Sequence, residues 1–82
     1  MKKLTEKEVW LELARRWNGE LIKHPKIDCY VPKEKSARSL LAWRKKIEAK
    51  IKVSGLIYPS SRTIEGARGR AEFCKQMAAK CK

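Results

Sequence analysis

Acid is scarce in this sequence relative to base: nine Asp and Glu stand against 21 Lys and Arg in 82 residues, a net charge of +12. Histidine occurs once. No glycine-rich phosphate loop follows a long strand, and no pair of acids on a helix or strand reads as a general acid–base pair. The usual constellations of acid–base and phosphoryl-transfer chemistry are therefore missing, and a non-enzymatic protein without a cofactor is expected. No apolar run approaches the roughly 20 residues that a membrane span needs, and Met1-Lys2-Lys3 leads into polar sequence rather than a secretory hydrophobic stretch. The expected location is cytoplasmic. Cys29, Cys74 and Cys81 cannot all pair within one chain and are expected as reduced thiols. With His24 they could supply four zinc ligands. However, Cys74 and Cys81 stand seven apart on an apolar helix face, unlike the short spacing of structural zinc sites, so no metal is expected.

A chain of this length buries only about 60% of its unfolded surface, enough for one modest core, so residues 1–82 are expected to form a single domain. No internal repeat or low-complexity segment divides it. The charge, however, is lopsided. Residues 1–34 hold eight basic and six acidic side chains, whereas residues 35–82 hold thirteen and three. A one-sided field of this kind points to a polyanionic partner or an anionic surface, since solubility alone is served by mixed signs.

The periodicities predict an α+β, mostly helical fold in the order helix, two strands, helix, short strand, helix. Thr5 three residues before Glu8, with Leu4 ahead of Val9, reads as a capping box and staple. The helix it opens gathers Val9, Trp10, Leu13, Ala14 and Trp17 on one side, with Glu8, Glu12, Arg15 and Arg16 largely opposite. Asn18-Gly19 should end it in a left-handed cap. Residues 20–23 and 27–31 read as a hairpin around His24-Pro25-Lys26, with Ile27, Cys29 and Val31 alternating onto one face. A second helix is predicted from about Ser36 to Val53, stopped by Ser54-Gly55. Gly55–Tyr58 reads as a brief third strand, Pro59–Arg62 as a surface loop, and Thr63 as the start of the last helix. Gly66 and Gly69 weaken that helix by roughly 1 kcal/mol each relative to alanine, which suggests a loose stretch over residues 66–70. Trp10, Trp17 and Trp43 lie among aliphatic residues and read as core, whereas Tyr30 and Tyr58, in turn regions near prolines, read as the more exposed aromatics.

On the second helix Leu40, Trp43, Ile47 and Ile51 form the buried stripe. Lys35, Arg38, Ala42, Lys45, Ala49 and Lys52 fall within about 60° of one line on the other side, with Lys46 at about 80°. Cations thus alternate with small residues on a face able to approach a phosphate backbone or groove. Only Glu48 interrupts the positive run from Lys35 to Arg62, so the Glu–Lys pairing of a merely solubilised helix is nearly absent. Arg62, Arg68 and Arg70, with glycines beside the last two, form a second candidate arm for phosphates. In size, charge and element type such a domain resembles the winged-helix regulators and recombination-directionality proteins of phages and mobile elements. That resemblance rests on no motif and transfers no residue role.

The leading expectation is a DNA-binding accessory or regulatory protein, with RNA as a close variant. A non-enzymatic inhibitor or adaptor that docks on an acidic protein surface is the alternative.

Overall fold

A computed structural model describes residues 4–34 and 38–81. The elements run α1 (Glu6–Asn18), β1 (Leu21–Lys23), β2 (Tyr30–Pro32), α2 (Arg38–Ser54) and α3 (Ile64–Lys80), an α+β and mostly helical fold. The capping box is present: the Thr5 side chain accepts from the Glu8 amide at 3.2 Å, and the Glu8 carboxylate accepts from the Thr5 amide at 3.1 Å. Both satisfy amides that the first turn of a helix leaves without intrahelical partners.

α1 and α3 form the principal helix–helix interface. α3 contributes Ala67, Ala71, Cys74 and Ala78, small buried side chains spaced three and four apart. They admit the bulk of Val9, Trp10 and Trp17 from α1, and Phe73 closes one side with its ring 6.5 Å from that of Trp10. α2 lays Leu40 and Ile47, both buried, and the half-buried Trp43 and Ile51 against this core. Beneath it an apolar cleft of about 480 Å³ remains, bordered by α1, β2 and Tyr58.

β1 and β2 form an antiparallel ribbon with Leu21 opposite Pro32, Ile22 opposite Val31 and Lys23 opposite Tyr30. A two-stranded ribbon is marginal in isolation. Here the Tyr30 amide donates to the Ser61 carbonyl at 2.7 Å, and Leu21 and Tyr30 pack on the core.

Several expectations need correction. β2 starts at Tyr30 rather than Ile27, because residues 24–29 close on themselves. The His24 amide donates to the Cys29 carbonyl at 2.9 Å, the Lys26 amide to His24 Nδ1 at 3.1 Å, and Lys23 pairs with Asp28 at 3.0 Å. Ile27 is consequently exposed. Residues 55–58 pair with neither strand of the ribbon. Gly19 is extended rather than left-handed, with φ −84°, and its amide donates to the Arg16 carbonyl at 3.1 Å. Gly55 does adopt the left-handed conformation, φ +71°, and ends α2 as the Ser54-Gly55 pair suggests.

Arg16 is not on the outer face of α1. It lies seven residues after Val9, two turns along the same side, and is only 7% exposed. Its guanidinium is held by Glu12 at 3.3 Å, by the Glu34 carboxylate at 3.7 Å and by the Glu34 carbonyl at 3.3 Å. Arg15 pairs with the same two acids. A cation this buried is tolerable only when paired and hydrogen-bonded.

The stretch 66–70 is regular helix, and its glycines are there for contact. A Cβ on Gly66 would stand 1.8 Å from the Ser60 carbonyl oxygen, and one on Gly69 would stand 3.2 Å from Pro59 Cγ. The loop before α3 folds back onto the first turns of the helix, so that Gly66 has room for hydrogen alone and Gly69 is tightly packed.

Two outcomes follow. Gly66→Ala should lower stability by about 2 kcal/mol or more despite alanine's better helix propensity, while Gly69→Ala should cost under about 1 kcal/mol; thermal or urea unfolding reads both. Burial also raises the Cys74 thiol to about 12. Thiol labelling of the native protein near neutral pH should therefore modify the half-buried Cys29 and spare Cys74 until the chain unfolds.

Candidate nucleic-acid interface

α2 carries its charge on the face turned away from the core. Arg38, Lys45 and Lys52 are exposed and two helical turns apart in succession, so they lie within about 40° of one line with a rise of about 10 Å between neighbours. Ala42 and Ala49 lie between them, also exposed. Among the described residues none of these three cations has a carboxylate within ion-pair distance. Lys46 is exposed beside them, its ammonium 4.9 Å from the centre of the Trp43 ring.

The other cations of α2 are neutralised. Arg44 meets Glu48 at 3.6 Å, one turn away, and Lys50 pairs with Glu6 of α1. The Lys50 hydrogen bond holds the Glu6 carboxyl below the usual carboxylate range. The acid that interrupts the positive run is therefore matched to an arginine at its edge and leaves the Arg38–Lys45–Lys52 line untouched. Lys35 lies outside the described residues. Arg62 is exposed on the loop before α3, and its backbone amide donates to Ser60 Oγ at 3.4 Å.

Arg68 and Arg70, expected as a phosphate-binding arm, do not stand free: both guanidiniums are engaged within the molecule. Arg68 donates to the carbonyls of Trp17 at 2.8 Å and Gly19 at 2.6 Å, and so caps the C-terminal end of α1. Arg70 Nε donates to the Pro59 carbonyl at 2.6 Å. Its guanidinium lies 4.9 Å from the Trp17 ring centre and 4.4 Å from that of Tyr58. Tyr58 in turn packs edge-on against Phe73 at 5.0 Å, half-buried rather than exposed, and burial raises its hydroxyl to about 12. Tyr30 is also half-buried. Trp10 and Trp17 are buried and Trp43 half-buried, which leaves the first two no ring face for a base.

The chain matches no family model, no curated protein and no solved structure. Among the described residues, no group of three or more His, Cys, Asp or Glu side chains converges, and no helix is long and apolar enough to cross a membrane.

One feature of this surface is not announced by the charge pattern of the sequence. Val53, 86% exposed, falls at about 60° from Arg38 on the same outer arc, and Ile57, 90% exposed, follows it on the connector. The helical angle was available for Val53. The exposure of Ile57 depends on residues 55–58 being unpaired.

The division of labour among the cations is testable by stability. Arg70→Ala should cost about 2–3 kcal/mol and Arg68→Ala about 1–2 kcal/mol, whereas Lys45→Ala should stay within about 0.5 kcal/mol, all read from denaturant midpoints.

Proposed function

We propose that this protein is a DNA-binding accessory or regulatory factor that lays the outer face of α2 along a nucleic-acid backbone. The observation that supports it is the line of Arg38, Lys45 and Lys52, three exposed cations without carboxylate partners among the described residues, on a helix whose opposite side is anchored in the core. Three like charges at a regular pitch suit a partner whose own charge repeats. A rise of about 10 Å between cations equals about three phosphate steps along one strand of a duplex. Lys46 and Arg62 add phosphate contacts at the margins.

Duplex DNA is favoured over RNA by shape. Alanines between the cations keep the face low enough for a helix to enter the wide major groove of B-DNA, whereas the deep, narrow groove of an A-form helix shuts side chains out. Contacts of this kind position the protein and give affinity without fixing a sequence.

Titration of labelled duplexes and single strands at several salt concentrations tests the proposal, with heparin as a polyanion control. Expected are dissociation constants in the sub-micromolar to micromolar range at low salt and a log–log salt slope of about 3–5, at about 0.9 per phosphate contact. Arg38→Glu with Lys45→Glu should abolish binding without changing the circular dichroism spectrum. Affinity that survives this double change excludes α2 as the contact surface. Binding of heparin but of no nucleic acid transfers the face to an acidic protein partner.

A further inference from the structure

Exposed single hydrophobes are ordinary on protein surfaces, but Val53 and Ile57 differ in degree, company and support. Among the described residues they are the two most exposed of the large apolar side chains, at 86% and 90%, and the partly exposed Leu56 stands beside Ile57. Val53 occupies the same outer arc as Arg38 and Lys45 and directly follows Lys52 in the chain. The apolar tip therefore borders the cationic face at its C-terminal end, with Val53 about 100° round the helix from Lys52.

The tip is also held from both ends. On one side the Ser54 hydroxyl donates to the Ile51 carbonyl at 2.7 Å and accepts from the Leu56 amide at 3.2 Å, and Gly55 turns the chain through a positive φ. On the other side Tyr58 is packed edge-on against Phe73, and the Pro59 carbonyl is bound by Arg70. Ile57 thus projects from a five-residue span, 54–58, whose two ends are fixed to the folded body. A tethered apolar projection keeps little conformational freedom to lose on binding.

We propose that Val53 and Ile57 act as an apolar wedge that enters a partly unstacked base step of duplex DNA, while Lys52 and its neighbouring cations hold the adjoining phosphates. The inference rests on the DNA-binding reading of α2. Charge and size select this occupant. Phosphates flank every base step, so a ligand that matches the cations offers apolar base faces only once its stack opens, and one or two aliphatic side chains fill such an opening. Pyrimidine–purine steps open most readily and are the expected sites. A lipid surface shares the anionic chemistry but rewards a broad apolar helix face, and α2 turns its own apolar stripe inward onto the core.

The test uses the full chain and a duplex of about 20 base pairs, long enough for the α2 face, with 2-aminopurine replacing the adenine of a central TA step. Wild-type binding should raise the 2-aminopurine fluorescence. Val53→Ser with Ile57→Ser should lose that rise and bind about tenfold more weakly, with the salt slope and melting temperature unchanged. Ile27→Ser, which removes an exposed isoleucine from the ribbon loop instead, should retain the rise. Wild-type binding with the expected salt slope but no fluorescence change overturns the wedge and leaves the α2 reading standing. Failure of the wild type to bind any duplex overturns both. Co-sedimentation with phosphatidylglycerol vesicles that requires Val53 and Ile57, with unchanged 2-aminopurine fluorescence on duplex addition, assigns the tip to a lipid surface and also overturns the wedge.

Discussion

The guanidinium of Arg70 is the point on which the rest of the structure depends. It sits close to the rings of Trp17 and Tyr58 while its Nε holds the Pro59 carbonyl, and so joins α1, the connector and α3 through one side chain. Two residues earlier, Arg68 takes the carbonyls at the end of α1. Together these contacts fix where the first helix stops and where the last begins, and the intervening loop can then lie against Gly66 and Gly69. A planar, always-charged group with several donors suits this task, because it can stack and donate at once, as a lysine ammonium cannot.

Seen this way, the basic residues divide by chemistry. Arg15, Arg16, Arg68 and Arg70 spend their donors inside the molecule on Glu12, Glu34 and backbone carbonyls. The cations left facing solvent on α2 are mostly lysines, whose compact and strongly hydrated ammonium groups lose least by staying in water. The near-neutral balance of residues 1–34 has a structural origin as well: most of its acids are consumed by cations of the same half, and Glu6 reaches across to Lys50.

What the sequence made legible was what depends on near neighbours. Thr5 and Glu8 announced the start of α1, Thr63 that of α3, and the 100° periodicity of α2 separated Leu40 and Ile47 from Arg38, Lys45 and Lys52. What stayed hidden depends on contacts between distant positions. Arg68 meets Trp17 across 51 residues, and no local spacing announces that bond. Gly66 and Gly69 read as weak helix because propensity counts only the helix, whereas their reason is the backbone of Ser60 and the ring of Pro59 pressed against it. Of the candidate phosphate contacts, the described ones on α2 therefore stand exposed, and the two on α3 became part of the scaffold.

The pitch of the cations on α2 carries a consequence for the unbound molecule. At about 10 Å, neighbouring charges on that line stand one Debye length apart in 0.1 M salt. Under physiological ionic strength each hardly feels the next, and the helix bears its row of like charges at little cost. In dilute buffer the screening cloud widens past that separation, and neighbouring charges of the row begin to repel one another by roughly a few tenths of a kcal/mol.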